Sequence, residues 1–350
     1  MTTQPKSNPG NFFEDFNPGD TLIHATPQTV TEGDLALYRA LNGSRFAQYS
    51  SAEFAKGAGL PGLCADPLHA FHIVFGKSVP DISLNAVANL GYADGRFLRP
   101  VMPGDTLRAE SQVIGVKENS NGKTGVVWVR TKGFNQRGEE VLSYVRWVMV
   151  NKRDAASPMR ETVVPDLPAS VPASELKGFP EMKAWPFAQS GSRHAYEDYE
   201  IGERINHVDG MTIQEAEHQT ATRLYQNTAK VHFDFHGQKD SRFGKRLIYG
   251  GVVISIARSL AFNGLGNAGQ MLAINAGSHV SPLFAWDTIY AWSEVLDKAE
   301  LSETCGALRL RLVAVKDQDP GAFAYKDAAG KYAEGVLLDF DYWAAIPRAR

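Results

Sequence analysis

Residues 13–41 read FEDFNPGDTLIHATPQTVTEGDLALYRAL, and residues 196–224 read YEDYEIGERINHVDGMTIQEAEHQTATRL. Glu14 matches Glu197, Asp15 matches Asp198, Gly19 matches Gly202 and His24 matches His207; Thr29/Thr212, Glu32/Glu215 and Leu41/Leu224 follow at the same offset of 183, without a gap. Further along, GRFLRPVMPGDTLRAESQV from Gly95 agrees with GSHVSPLFAWDTIYAWSEV from Gly277 at an offset of 182, through Pro100/Pro282, Asp105/Asp287, Ser111/Ser293 and Val113/Val295. Matches at a near-constant offset over most of two halves mean that one unit occurs twice. The boundaries are set at 1–152 for the first unit and 196–350 for the second. Between them, 153–195 is rich in Pro, Ala and Ser and lacks periodicity, the composition of a linker. Its length suggests that it wraps from one unit to the other.

Each unit follows one plan. A short β-like segment (DTLIHA; ERINHV) precedes a helix whose start carries Ser/Thr followed three residues later by an acid, Thr31 with Asp34 and Thr212 with Glu215. Leu35, Leu37, Tyr38 and Leu41 continue at helical spacing. A more apolar helix comes next (LCADPLHAFHIVFG; GGVVISIARSLAFNG), then long strands: TLRAESQVIGVKE, GVVWVRTKGFN and EEVLSYVRWVMV in the first unit, TIYAWSEVLDK, ALRLRLVAVKD and YAEGVLLDFDYWAAI in the second. NQRGEE and DAAGK are hairpin turn signals. A buried helix followed by an antiparallel meander predicts an α+β fold.

Composition narrows the classes of function. The 350 residues are 43% hydrophobic and 21% charged, ordinary globular values, and each half is long enough to bury a core of its own. A net charge of −3 argues against a nucleic-acid protein. The two cysteines, Cys64 and Cys305, support neither a disulfide framework nor a metal motif. The first residues have no apolar core of a signal peptide, and no apolar run reaches membrane length; the longest, 250–262, is broken by Arg258. A cytoplasmic protein is expected.

With the repeat in place, FLRPVMPGDTLRAESQVIGV followed by VRTKGFNQRGEEVLSYVRWVMV resembles the sheet of MaoC-like dehydratases, which have the hot-dog fold. The resemblance covers nearly the whole chain and implies a double hot-dog, two tandem units each with a central helix wrapped by an antiparallel sheet. In the family's R-specific enoyl-CoA hydratases a motif opens Thr-Gly-Asp, with His five residues after the Asp and a second Asp two further on. LYQNTAKVHFDF carries His232 and Asp234 in those places, with Asn227 where the catalytic Asp stands. GKRLIYGGVVISIARSL looks like the glycine-led start of the central helix, whose backbone N–H holds the thioester oxygen. In the first unit Ser44 falls opposite Asn227 and Tyr49 opposite His232; neither can serve as the family's base, so that unit is expected to be catalytically silent and to help build the acyl-CoA tunnel. The Asn and the Lys-Val-His run are closer to the mesaconyl-CoA hydratase group, also called β-methylmalyl-CoA dehydratases.

The resemblance implies a hydro-lyase that adds water reversibly to mesaconyl-C1-CoA (2-methylfumaryl-CoA), a step of glyoxylate assimilation. The alternatives are an R-specific hydratase of other enoyl-CoA chains, a hot-dog thioesterase and a non-catalytic acyl-CoA-binding protein; fold likeness alone does not separate these. Hydration requires stabilisation of the thioester oxygen, a base for water and a proton for the α-carbon. Gly250 and Gly251 at a helix start suit the first task, and His232 the other two. Asn227 can orient water or imidazole by hydrogen bonding. Asp234 is a candidate either for catalysis or for bracing the backbone. Were the segment a strand, His232, Asp234 and His236 would share a face and could hold a metal; the resemblance explains His232 without one, so no metal and no cofactor is expected, CoA being part of the substrate. His24 and His207 read as a shared structural pair. Tyr249 is a candidate pocket residue. Lys230 and Arg258 are candidate partners for the substrate carboxylate, with an internal ion pair as the alternative for Arg258. Lys245 and Arg246, with Lys239 and Arg242, are candidates for the CoA phosphates or a solvated loop. The partner is an acyl-CoA, with no nucleic acid and no membrane, and a homodimer is expected.

Overall fold

The computed structural model describes residues 6–321 and 323–349. Its strands are β1 (Thr21–Thr29), β2 (Ala86–Phe97), β3 (Thr106–Glu118), β4 (Thr124–Phe134), β5 (Glu140–Asn151), β6 (Arg204–Thr212), β7 (Gln270–His279), β8 (Thr288–Glu300), β9 (Cys305–Lys316) and β10 (Val336–Pro347). The helices are α1 (Glu32–Asn42), α2 (Ala47–Ser50), α3 (Ala52–Gly57), α4 (Pro67–Ile82), α5 (Glu215–Leu224), α6 (Lys230–Phe233), α7 (Phe235–Gln238), α8 (Gly250–Leu260) and α9 (Phe262–Leu265). The six long strands read from the sequence are all present. β2 and β7 were not foreseen, and they join the two halves.

All ten strands form one antiparallel sheet in the order β1-β3-β4-β5-β2-β7-β10-β9-β8-β6. The order is two copies of one five-stranded motif placed edge to edge. Across the joint Tyr92 faces Gly277 and Gly95 faces Ile274. At the offset of 182, Tyr92 corresponds to Ile274 and Gly95 to Gly277, so a local twofold exchanges one facing pair for the other. Each pair sets a glycine against a large side chain: a Cβ on Gly95 would lie 2.8 Å from Ile274 Cβ, and one on Gly277 would lie 3.0 Å from the Tyr92 ring.

The curved halves wrap α4 and α8. Every residue of α8 after Gly250 is buried, as in a helix that is apolar all round. Local rules fix the smaller helices. Thr31 caps α1 and Asp34 returns the bond to the Thr31 N–H at 2.7 Å. The second copy departs from the expected cap: Gln214 is the N-cap of α5 and Glu217 accepts its N–H, while Thr212 lies at the end of β6. Its hydroxyl bonds Thr288 at 2.8 Å, as Thr29 bonds Thr106 at 2.8 Å. The matched histidines are structural, as read. His24 spans Asp81 and Ser111, and His207 spans the Asn263 carbonyl and Ser293.

Between the halves, Val171, Leu176, Met182 and Trp185 enter a cluster with Leu272, Ala273 and Trp343. Trp185 donates to Asn267 at 2.9 Å and Trp343 to the Val171 carbonyl at 3.0 Å. The connecting segment is therefore packed along both copies. No helix among the described residues is long and apolar enough to cross a membrane.

Candidate active site

A cavity of about 530 Å³ opens between the halves. The second copy lines it with Asn227, His232, Ile248, Tyr249, Gly250 and His279, and the first copy with Phe75, Val79, Ser83, Tyr92 and Arg146. Neither copy has this cavity alone.

His232 lies in α6, whose short turn hangs between α5 and the strand-like entry to α8. Its Nδ1 donates to the Leu247 carbonyl at 2.8 Å, which fixes the neutral tautomer and leaves the Nε2 lone pair free. Protein packed around the ring lowers its pKa to about 4, against a small opposing effect of the carbonyl. Asn227 is 1% exposed; its Oδ1 accepts the Ala229 N–H at 3.1 Å, and its Nδ2 has no protein partner among the described residues. An amide held by one end with its donor end unengaged is suited to orient a polar group in the cavity.

Gly250 is the first residue of α8, where backbone N–H groups have no intrahelical acceptor and the helix dipole favours negative charge. Its bareness is enforced: a Cβ would lie 2.4 Å from Cε1 of His279 and 2.6 Å from its Nε2. Gly251 does not line the cavity. It lies behind the wall, where a Cβ would meet the Tyr249 ring at 2.4 Å and His72 at 2.6 Å, so its role is packing. Tyr249 caps the helix from the cavity wall. Its N–H donates to His218 Nε2 at 3.0 Å and its hydroxyl reaches His72 Nδ1 at 3.4 Å.

Several expected site residues lie elsewhere. Asp234 is exposed and accepts the Gly237 N–H at 2.9 Å as the N-cap of α7, a bracing role. Because α6 and α7 are helical, His232, Asp234 and His236 do not share a face; no group of His, Cys, Asp or Glu among the described residues could hold a metal. Lys230 is exposed and outside the cavity wall. Arg246 is taken by Glu215 at 2.8 Å and by the Phe233 carbonyl at 3.2 Å, and Lys245 stacks on Phe284 at 4.0 Å. Of that basic cluster, Arg242 borders the cavity. Arg258 is buried but far along α8, bonded to the Ala268 carbonyl and stacked 4.3 Å from Phe46. It does not touch the working cavity.

The sequence reading missed His279, His218 and Arg146. His279 borders Gly250, and its Nε2 pairs with the Tyr92 hydroxyl at 3.2 Å; burial, then repulsion from His232, lowers its pKa to about 4. His218 lies 5.8 Å from His232 between ring centroids, and burial lowers it to about 3. A usable signal existed: His279 stands opposite Phe97 in the repeat, a polar residue against an apolar one at a matched position.

The equivalent place in the first copy is closed. Cys64, Ala65, Pro67, Phe97 and Val101 occupy the positions of Leu247, Ile248, Gly250, His279 and Leu283, and the space left among them is about 10 Å³. Gly178 of the connecting segment and Gln270 close it, and the Tyr49 hydroxyl donates to Gln270 Oε1 at 2.6 Å.

The sequence and the fold have known counterparts. The chain matches the family model "Mesaconyl-CoA hydratase" over residues 2–329. It is 60% identical over 347 residues to the mesaconyl-CoA hydratase of Cereibacter sphaeroides, covering 98% of this chain and 100% of that one. It is 58% identical to the β-methylmalyl-CoA dehydratase of Chloroflexus aurantiacus, covering 98% and 99%. The crystal structure of a MaoC domain protein from Chloroflexus aurantiacus superposes with a TM-score of 0.97 at 57% identity, covering 99% and 100%. A double-hotdog protein from Mycobacterium tuberculosis, 23% identical, shares the fold with a TM-score of 0.77, covering 97% of this chain and 98% of that one. The chain, an α+β double hot-dog of MaoC-like build, belongs to the mesaconyl-CoA hydratase family.

Proposed function

We propose that this hydro-lyase catalyses the reversible hydration of mesaconyl-C1-CoA to β-methylmalyl-CoA in the cavity between its two copies. The observation that carries the reading is His232. Its Nδ1 is committed to Leu247 O, so its free Nε2 belongs to the same wall as the Asn227 amide and the start of α8. The neutral imidazole takes a proton from water as the oxygen bonds to the β-carbon. Electron density moves through the α-carbon onto the thioester oxygen, where the helix N-terminus at Gly250 stabilises it. The imidazolium then returns the proton to the α-carbon, so one water is added and nothing else is consumed. Asn227 orients the water or the developing hydroxyl. The first copy serves as wall and not as a second catalyst. No cofactor takes part, CoA being carried by the substrate, and Arg242 at the cavity edge is suited to a CoA phosphate. The reading includes a cytoplasmic homodimer, for which sedimentation gives the deciding mass.

The test follows the enoyl-thioester absorbance of mesaconyl-C1-CoA while free CoA is measured in parallel. Loss of absorbance without CoA release is expected. Stoichiometric CoA release would mark a thioesterase, an unchanged spectrum with bound ligand would mark a binding protein, and faster turnover of crotonyl-CoA would mark a general enoyl-CoA hydratase.

A further inference from the structure

Arg146, in the middle of β5, has no exposed surface, yet it borders the cavity. Its guanidinium lies 4.3 Å from the centroid of the Phe75 ring. Nη1 donates to Ser83 at 2.8 Å and Nη2 to Ser78 at 2.9 Å, while Nε finds no acceptor among the described residues. Burial holds its pKa below the usual arginine value, and the titratable groups that oppose this are the hydroxyls of Tyr144, Tyr92 and Tyr249, with no carboxylate among them. A buried cation without an anion is costly, and the cost falls away when an anion arrives with matching geometry.

The repeat supplies a comparison inside the same molecule. Phe75 corresponds to Arg258 at the offset of 183, and Arg146 corresponds to Tyr342, because β5 and β10 align end to end at an offset of 196. The second arrangement therefore also stacks a guanidinium on an aromatic ring, Arg258 lying 5.3 Å from Tyr342, but the helix now supplies the cation and the strand the ring. There an internal carboxyl lies within electrostatic reach: burial pushes Asp66, the N-cap of α4, up to about 6, and the charge of Arg258 opposes that rise. That arrangement serves the closed side. The arrangement that borders the open cavity keeps the guanidinium and has no internal carboxylate.

We infer that Arg146 receives the carboxylate on the β-carbon of the substrate, and so selects β-carboxy enoyl-thioesters over alkyl ones. This rests on the hydratase reading above. The guanidinium has a free Nε–H and further Nη–H donors for a planar carboxylate, and the Phe75 ring holds it in place. The residue comes from the copy that supplies no base, which gives that copy a part in specificity.

The test compares wild type, Arg146→Met and Arg258→Met on mesaconyl-C1-CoA and crotonyl-CoA, with thermal melting of each variant. Arg146→Met should lose at least about 30-fold in kcat/KM on mesaconyl-C1-CoA and less than about threefold on crotonyl-CoA, the pattern of a lost buried charge contact to one ligand. Arg258→Met should change both substrates by the same factor. If Arg146→Met does not fold, Arg146→Lys carries the test: the charge stays and the planar fork goes, so mesaconyl-C1-CoA should lose at least about tenfold while crotonyl-CoA is spared. Equal losses on both substrates in the folded variant, while wild type hydrates mesaconyl-C1-CoA, overturn the role of Arg146 and leave the hydratase reading standing. A wild type that does not hydrate mesaconyl-C1-CoA overturns both.

Discussion

Pro67 and Gly250 occupy the same first-turn position of the two central helices, 183 residues apart. Proline is well tolerated there because the first-turn N–H has no intrahelical partner, but it removes that donor from anything bound at the helix start. The first copy thus keeps its helix and lacks the N–H proposed to hold the thioester oxygen, while Tyr49 stands in place of His232. Gly250→Ala should lower kcat/KM at least about 100-fold, the scale of losing one oxyanion donor, since its Cβ would collide with His279. Pro67→Gly should leave kcat/KM within about threefold, because restoring a donor beside a space of about 10 Å³ restores no site. Steady-state kinetics on the two variants decides the matter.

His232 and Asn227, the proposed catalytic pair, should show the same asymmetry. His232→Ala is expected to lower kcat at least about 100-fold, and Tyr49→Phe less than about tenfold. Asn227→Ala should lower kcat with little change in KM, as for a group acting on the reacting water, and Asn227→Asp should keep measurable turnover. Equal losses from His232→Ala and Tyr49→Phe would end the assignment of one working copy.

Gly76 of α4 carries the first copy's influence to the second. A Cβ there would lie 1.9 Å from the Tyr225 carbonyl oxygen and 3.3 Å from the Asn227 N, so the loop holding Asn227 must move. Gly76→Ala should destabilise the protein by about 1–3 kcal/mol, the usual overpacking cost, and reduce kcat as well. Gly33→Ala in α1 meets Thr31 Oγ1 at 3.5 Å, ordinary contact, and should leave both properties intact or raise stability slightly. Melting curves and kcat for the two variants test the difference.

Acid should destabilise the fold through its buried imidazoles. Burial lowers His69, His207, His232 and His279 to about 4 and His218 to about 3. Their ordinary value is about 6.5, so between pH 6.5 and 4 the unfolded chain binds more protons than the folded one. The stability contributed by the neutral rings is complete above pH 6.5 and is lost as pH falls toward 4. The melting temperature should fall steadily across that window, and His207→Gln, remote from the cavity, should flatten part of the slope. A melting temperature constant from pH 7 to 4.5 would contradict this.

The repeat, the two central helices and six strands were legible because each rests on local signals: offsets, periodicity, caps and turns. His232 and Asn227 were legible because their spacing to the start of α8 is a matter of chain, and the chain fixes it. The capping of α5 was misread by two residues, since Thr212 prefers to end a strand by bonding Thr288 and leaves the cap to Gln214. β2 and β7 escaped because Gly91, Asp94, Gly95 and Gly277 are poor strand formers taken alone. Their value appears only across the joint, where Gly95 makes room for Ile274 and Gly277 for Tyr92.

The sequence by itself determined that the protein is two copies of a helix-and-meander unit, and that His232 and Asn227 of the second stand opposite Tyr49 and Ser44 of the first, because these facts depend on which residue stands at each repeated position. Tertiary structure alone decided which cation borders the cavity wall beside His232. Lys230 stands near His232 in sequence but points into solvent, and Arg258 lies on the right helix but on the closed side. Arg146, 86 residues before His232, reaches the cavity because joining β2 to β7 brings the first copy's sheet against the second copy's helix. A cavity made by two halves across a local twofold draws each wall from the opposite copy, and chain distance carries no information about such a pairing.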